Sequence, residues 1–152
     1  MNAKNTSSVR LEELGKILNR SGLKLTAQRL AVHRAMLYLE HASADQVAAR
    51  IREKEDVRVT PASVYNILLC FAGLGIYGRR PSTDSKMYFD ANPTSHIHLY
   101  DTQNQVFMEP GDDGTLEEVL RKLEGRRFKG YRIEGVDLQI LCRPRTRRRT
   151  LK

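Results

Sequence analysis

The segment VTPASVYNILLCFAGLG, residues 59–75, is the most sharply delimited helix in the sequence, and it constrains the fold more than any other stretch. Thr60 is a suitable N-cap, and Pro61 fits the first helical position, where no backbone N–H is needed. Apolar side chains recur at helical spacing after these residues, and Gly73 or Gly75 ends the helix. The segment therefore predicts an amphipathic helix whose start faces outward.

Further helices and a hairpin surround this segment. An amphipathic stretch lies around Val9–Leu18, Thr26 is the N-cap of a second helix, and Ser43 with Gln46 forms a capping box for a third. After the helix at Thr60, IYGRR and KMYFD are separated by the turn-rich PSTDS and predict a two-stranded hairpin. Three helices followed by a hairpin is the order of a winged helix-turn-helix.

The second half predicts a smaller unit. HIHLYD and QVFM read as two strands, Thr115 and Glu118 form a capping box for a helix that runs to Leu123, and YRIEGVDLQILC is a last strand with Gly135 inside it. A β-β-α-β unit of this size completes its core most readily against a second copy. We therefore expect an α+β chain with a winged-helix DNA-binding domain (1–91), a dimerisation and metal-sensing domain (92–142) and a basic tail (143–152).

Positive charge is concentrated at the carboxyl end. The formal net charge is +8, and the last ten residues, RPRTRRRTLK, carry five Arg and one Lys without an acid. Such a tail attracts nucleic acid phosphates without sequence specificity, and a solvated end that aids solubility is the alternative reading. No apolar run has the length of a membrane span, and MNAKNTSSVR lacks the apolar core of a secretory signal. The expected location is cytoplasmic, without a membrane partner.

Residues that read DNA bases are expected at the start of the helix after Thr60. In a helix-turn-helix, the N-terminal part of the second helix reaches the base edges. Asn pairs with adenine, and small side chains meet thymine methyl groups. The candidates for base reading are Ala62, Ser63, Tyr65 and Asn66. The candidates for phosphate binding are Lys24, Gln28, Arg29, Arg79 and Arg80. A protein-interaction module, with Tyr65 covering the edge of the core, is the alternative.

Histidines and acids supply a second candidate site. His96 and His98 are two apart in a predicted strand, so their side chains point to the same face. Asp90 at the end of the hairpin and His41 before the capping box complete an imidazole and carboxylate set suited to a first-row metal, and Glu109 is a further ligand candidate. An ordinary polar strand is the alternative reading of the two histidines.

An enzyme is not expected. The sequence contains no G-x-x-x-x-G-K-[ST], H-E-x-x-H or G-x-S-x-G motif. Its two cysteines, Cys70 and Cys142, belong to no C-x-x-C pair, so a thiolate zinc site is not predicted. His33 has no acidic or His neighbour at helical spacing, and we expect it to be structural or at the surface.

Taken together, these residues resemble the ferric uptake regulator family of dimeric metalloregulators. The resemblance is carried by an ordered set of short motifs that extends over nearly the whole chain. The motifs are GLKLTAQR (22–29), HASADQV (41–47), TPASVYNIL (60–68), GLGIYGRR (73–80), KMYFD (86–90) and SHIHLY (95–100). YFDANPTSHIH and YRIEGVDLQILCRPR are most similar to the iron response regulator branch of the family.

The resemblance implies a transcriptional regulator, a repressor in iron homeostasis, that binds an inverted-repeat operator as a homodimer and responds to metal or haem. The family's regulatory metal site falls on His41, Asp90, His96 and His98, with Glu109 near an acidic position. One transition-metal ion per subunit (Fe, Mn or Zn) or haem is therefore expected. The alternatives are a manganese-, zinc- or peroxide-responsive regulator of the same family, and a haem- or metal-binding protein without operator specificity.

Several departures from the family pattern narrow these expectations. Asp101 and Asn104 stand in the region of the first cysteine pair that holds structural zinc in many members, so no structural zinc bound by four cysteines is expected. Ser95 and Ile97 break a second ligand cluster, and Ile97 also interrupts three consecutive histidines that the iron response branch uses for haem. Asn66 replaces an Arg found in many members, so the operator sequence should differ.

Overall fold

The computed structural model describes residues 8–111 and 113–145. The chain divides into two compact units, Met1–Thr94 (unit 1) and Ser95–Lys152 (unit 2). Both helices and strands are present, which confirms the predicted α+β class. The predicted boundaries at 91 and 142 remain predictions, and residues 146–152 of the basic tail lie outside the described residues. Within the described ranges, no helix is long and apolar enough to cross a membrane.

The described part of unit 1 contains four helices, and each of them except the first follows a residue whose side chain caps it. They are α1 (Leu11–Arg20), α2 (Ala27–Leu39), α3 (Ala44–Lys54) and α4 (Pro61–Gly73). The Thr26 side chain accepts the Arg29 N–H at 3.2 Å, which confirms the predicted cap of α2. Ser43 and Gln46 form the predicted capping box at α3. These caps satisfy backbone N–H groups that have no partner inside a helix.

Three strands form the sheet of unit 1, in the order β1-β3-β2: β1 (His41–Ser43), β2 (Gly78–Pro81) and β3 (Met87–Asp90). The predicted hairpin is confirmed, since β2 and β3 pair antiparallel. The strand β1, which pairs antiparallel with the other edge of β3, was not predicted. Three residues are too few to show a period-2 pattern, and Ser43 is also the N-cap of α3.

The core of unit 1 orients α4. Val64, Leu68 and Phe71 on one face of α4 are fully buried, together with Met36 from α2 and Ile51 from α3. Burying a large apolar side chain contributes roughly 1.5–3 kcal/mol, so this face holds α4 firmly against the two preceding helices. The opposite face at the start of α4 is consequently turned outward, in the manner of a reading helix.

Unit 2 has the predicted β-β-α-β order. Its elements are β4 (Ile97–Asp101), β5 (Val106–Met108), α5 (Thr115–Leu123) and β6 (Leu138–Cys142). The sheet order is β5-β4-β6, with β5 antiparallel and β6 parallel to the central strand. Its described buried apolar residues are few, namely Ile97, Tyr100 and Phe107, and α5 buries no residue. Unit 2 therefore has little core of its own.

Two predictions about unit 2 are corrected. Thr115 is the first residue of α5 and not its cap; the N-cap is Gly114, with φ at 86°, and the Asp113 carboxylate accepts the Thr115 N–H at 3.0 Å. A glycine suits this left-handed position, and the preceding carboxylate takes the role predicted for Thr115. The last strand is also shorter than predicted and excludes Gly135, because β6 can pair only along the five residues of β4.

Candidate functional sites

His41 and Asp90 form the first candidate ligand pair, and the sheet of unit 1 brings them together. They are direct partners in the β1–β3 register, and His41 Nε2 lies 3.2 Å from Asp90 Oδ2. Both side chains are nearly buried, at 7% and 5% exposure. An unpredicted strand thus places His41, which the sequence positions only as a residue before a helix cap, beside the acid at the end of the hairpin.

The other Asp90 oxygen is fixed by the chain that follows β3. Asp90 Oδ1 accepts the Asn92 N–H at 2.8 Å, and Asn92 Oδ1 accepts the Thr94 N–H at 3.0 Å and its hydroxyl at 2.6 Å. Sequence reasoning missed Asn92 as a supporting residue. The signal was available, because Asp and Asn side chains commonly accept the N–H two residues ahead. This chain of bonds leaves Oδ2 directed at His41.

His96, His98 and Glu109 form the second candidate set, within unit 2. His98 lies in β4, and His96 is the residue directly before that strand. Glu109 directly follows β5, which pairs antiparallel with β4. The two imidazole rings are 4.0 Å apart between centroids, and His96 Nε2 lies 3.1 Å from Glu109 Oε1. One ligand atom from each of the three residues lies within 4.8 Å of the other two. Two imidazoles and a carboxylate are therefore close together, although the strand predicted to begin at His96 begins at Ile97.

Both sets have the chemistry and spacing that suit a first-row metal ion. Nitrogen and oxygen ligands bound at about 2.0–2.2 Å from one ion stand roughly 3 Å from each other. The His41–Asp90 and His96–Glu109 separations, 3.2 Å and 3.1 Å, match this spacing. Imidazole with carboxylate suits Fe, Mn and Zn, whereas thiolate-selective ions lack their preferred ligand here. An ion pair between a protonated His and a carboxylate has similar distances, so metal binding is the property to test.

The β4–β5 turn is held by hydrogen bonds at Asp101 and Asn104. Asp101 Oδ1 accepts the N–H groups of Gln103 at 2.9 Å and Asn104 at 3.1 Å, and Oδ2 accepts the Asn104 side-chain amide at 2.7 Å. The Asn104 amide, followed by the two backbone N–H groups, holds the pKa of Asp101 below its ordinary value. The sequence contains only two cysteines, and the Sγ of Cys142, on the strand β6 that pairs with β4, lies 3.5 Å from the Tyr100 carbonyl oxygen.

The base-reading candidates lie on the outward start of α4, but their side chains differ in availability. Ala62 and Asn66 are exposed. Tyr65 is 38% exposed and packs edge-on against Phe89, at 6.0 Å between ring centroids. Ser63 forms a capping box with Thr60, which was not predicted. Its hydroxyl accepts the Thr60 N–H at 3.0 Å and donates to the Thr60 carbonyl at 2.9 Å.

The phosphate candidates fall into two groups. Lys24 and Arg79 are exposed, and Arg80 is half-buried on β2. Gln28 and Arg29, in contrast, support the loops around them. The Gln28 amide donates to the Arg58 carbonyl at 2.8 Å and thereby ties α2 to the loop before α4. The Arg29 guanidinium donates to the Lys24 carbonyl, which secures the turn before α2.

Comparison with known proteins places these features in a family. Residues 20–140 match the model of the ferric uptake regulator family. A peroxide-responsive repressor from Staphylococcus epidermidis is 31% identical over 90 residues, a stretch that covers 59% of this chain and 59% of the relative. The chain thus spans about three-fifths of that relative's length.

Solved structures share the fold. The ferric uptake regulator of Vibrio cholerae, described with rearranged DNA-binding domains, has a TM-score of 0.70 at 21% identity, covering 86% of this chain and 99% of that one. The ferric uptake regulator of Pseudomonas aeruginosa with manganese has a TM-score of 0.63 at 26% identity, covering 86% and 97%. The winged helix followed by a small α/β unit is therefore the architecture of this chain.

Proposed function

The chain belongs to the ferric uptake regulator family, and from that premise we propose that it is a metal-responsive repressor that binds double-stranded DNA in the cytoplasm. It is a regulator rather than an enzyme, as members of this family are. The observation that carries the proposal is that each unit holds its own imidazole and carboxylate set. The two sets are close in sequence: Asp90 is the last residue of β3, and only five residues separate it from His96.

We propose that both sets serve one regulatory ion per subunit. His41 and Asp90 from unit 1 would hold it together with His96, His98 and Glu109 from unit 2. A bound Fe, Mn or Zn ion would link the two units, because each unit would supply some of its ligands. Occupancy would then favour one arrangement of the DNA-binding unit over others, which is a population shift. Haem ligation by His96 and His98 is the alternative cofactor.

Recognition of DNA is assigned to α4. Its outward start presents Ala62, Tyr65 and Asn66, which are free of long charged side chains and therefore allow close approach to a base edge. Lys24 and Arg79 would bind phosphates on either side. The related Vibrio cholerae structure is described with DNA-binding domains, which supports the same role for unit 1.

We propose a homodimer through unit 2. The helix α5 buries nothing within the described chain, although Leu120 on it is an exposed apolar residue. The segment after α5 also exposes Phe128, Tyr131 and Ile133, and these residues line one open cleft of about 1040 Å³ together with α5. Patches of this kind normally mark an interface. A second copy would cover them and would set two reading helices on an inverted-repeat operator.

A peroxide-responsive regulator is the second candidate function. It is favoured by the relative at 31% identity, which is named as a peroxide-responsive repressor. The candidate ligands would accept Fe²⁺, which reduces peroxide, as well as Mn²⁺ or Zn²⁺, which do not under the same conditions. Loss of DNA binding after peroxide treatment of the Fe²⁺-loaded protein, but not of the Mn²⁺-loaded protein, would distinguish this function from an iron-availability sensor.

The test begins with metal and haem content of the purified protein, followed by selection of an operator from random duplexes. Binding to that operator is then measured by fluorescence anisotropy with chelator, Mn²⁺, Fe²⁺ and haem in turn. His96→Ala combined with His98→Ala should abolish the metal response, whereas Glu53→Ala, at a carboxylate side chain that is 69% exposed and belongs to none of the proposed contacts, should leave it unchanged. An intact response in the double variant, or no selected operator, would refute the proposal.

A further inference from the structure

His33 in α2 is fully buried and contacts three other parts of unit 1. Its Nε2 lies 2.8 Å from the Val9 carbonyl oxygen, two residues before α1, and its Nδ1 lies 2.7 Å from the Tyr77 hydroxyl oxygen, between α4 and β2. The ring also stacks on Tyr77 at 5.8 Å and meets Phe71 of α4 edge-on at 6.5 Å. No part of the proposed metal or DNA contacts uses this histidine.

These partners determine which tautomer His33 adopts. A backbone carbonyl only accepts, so Nε2 must carry the proton that is donated to Val9. In the neutral ring Nδ1 is then an acceptor, and the Tyr77 hydroxyl donates to it. Both ring nitrogens are satisfied without charge. This is the arrangement that a buried histidine requires, because an unpaired buried polar group is costly.

The contacts of His33 converge on the elements that position the proposed reading helix. Phe71 lies in the last turns of α4, and Tyr77 lies in the four-residue connection from α4 to the hairpin strand β2. Val9 fixes the entry of the chain into α1. One ring therefore ties the start of α1 and both ends of the α4–β2 connection to α2.

We propose that His33 is a positioning residue for DNA recognition: as a neutral Nε2–H ring it fixes the angle between α4 and the hairpin, and its protonation releases that angle. The inference rests on the proposed role of α4 in reading DNA. His33 itself is buried and does not touch DNA.

The direction of the pH effect follows from the burial. Desolvation lowers the pKa of His33, and the bond to the Val9 carbonyl opposes this only in part. Of the residues that contact the His33 ring, Val9 (through its carbonyl) and Phe71 do not titrate, and Tyr77 does. Burial raises the pKa of Tyr77 well above its ordinary value, so Tyr77 stays neutral. A histidine with a lowered pKa stabilises the fold fully above its ordinary pKa of about 6.5, and this stabilisation is lost as the pH falls.

The test compares His33→Gln, His33→Leu and the wild type, each saturated with Mn²⁺. The Gln amide donates and accepts as the neutral ring does, yet it cannot titrate. Operator affinity of His33→Gln at pH 7.5 should stay within about threefold of the wild type. His33→Leu should bind about tenfold more weakly, because it removes the partner of the buried Tyr77 hydroxyl and of the partly buried Val9 carbonyl. Between pH 7.5 and 5.5 the wild type should lose more affinity than His33→Gln. The proposed metal ligands are present in both proteins, so the difference belongs to His33.

A separate readout does not depend on DNA. Long-range ¹H–¹⁵N spectra of the wild type should show His33 protonated at Nε2 and unprotonated at Nδ1 at pH 7.5, and a proton on Nδ1 alone would overturn the proposal. So would parallel pH profiles of the wild type and His33→Gln, or a His33→Leu variant that is less stable but binds the operator normally while folded. If the wild type binds no selected operator at any pH, the proposed function itself fails. That result differs from all the preceding ones.

Discussion

Substitution of Ser63 by Ala separates helix capping from base reading at the start of α4. Ser63 is a sequence candidate for reading bases, yet its hydroxyl bonds to both backbone groups of Thr60, and the Thr60 side chain accepts the Ser63 N–H at 3.1 Å. We expect Ser63→Ala to destabilise unit 1 and to leave operator binding nearly unchanged, because the hydroxyl is already engaged within its own turn.

The magnitude follows from the local exposure. Loss of an N-terminal cap typically costs about 1 kcal/mol, within a range of roughly 0.5–2 kcal/mol. Thr60 is exposed, so water can replace the lost acceptor at its N–H and the cost stays near the middle of that range. For a unit of this size, 1 kcal/mol lowers the melting temperature by roughly 4–8 °C. Thr60→Ala should cost a similar amount, and the double variant should lose less than the sum, since both bonds stabilise one turn.

The assay pairs two measurements on the same proteins. Urea and thermal unfolding by circular dichroism give the loss of stability, and anisotropy at a temperature where every variant is folded gives the operator Kd. Asn66→Ala is the matched control, because Asn66 is exposed and should lose operator affinity equivalent to about 1–3 kcal/mol without loss of stability. A Ser63→Ala variant of normal stability that binds the operator tenfold more weakly would refute the capping interpretation.

Three further predictions concern other parts of the chain. Phe71→Ala should destabilise unit 1 by about 3–5 kcal/mol, measured by urea unfolding, because Phe71 is fully buried in the core; a loss below 1 kcal/mol would contradict the described packing. Tyr131→Glu, at an 83% exposed side chain, should shift the protein from dimer to monomer in sedimentation experiments, while an unchanged dimer would exclude this face. Asp101→Ala should speed amide exchange at Gln103 and Asn104. In the wild type, the protection of these two amides from exchange should be lost as the pH falls below about 4, because a carboxylate with a lowered pKa stabilises the turn only while it is ionised. Slow exchange of the two amides in Asp101→Ala would show that the carboxylate does not hold the turn.

Elements whose ends are marked by capping residues or turns were predictable from the sequence. Thr60 with Pro61, and Ser43 with Gln46, marked helix starts that the structure confirms, because capping depends on side chains within three residues of each other. The same locality explains the confirmed hairpin. The rings of His96 and His98 also lie close together, 4.0 Å between centroids, although β4 begins only at Ile97 and His96 lies just before it.

Features that depend on distant residues were not predictable. The pairing of His41 with Asp90 depends on β1, a strand of three residues whose partner strand β3 lies almost fifty positions away in the sequence. No local sequence pattern predicts such a short strand. The length of β6 is set by β4, its parallel partner, so a prediction that the whole segment from Tyr131 to Cys142 is one strand overestimates that length. His33 shows no partner at helical spacing, because its two partners come from Val9 and Tyr77 in other elements.

The strand β1 has a mechanical consequence for signalling within unit 1. Its first residue, His41, is a proposed ligand, and its last, Ser43, is the N-cap of α3. Two steps of extended chain, at about 3.3 Å each, separate them, so the distance from input to helix is roughly 7 Å. The chain between His41 and Ser43 is a strand and not a flexible loop, so it would not absorb a displacement. A displacement of His41 would therefore be transmitted directly to the start of α3, so a metal ion at the proposed site would act on the helix that precedes the proposed DNA-reading helix α4.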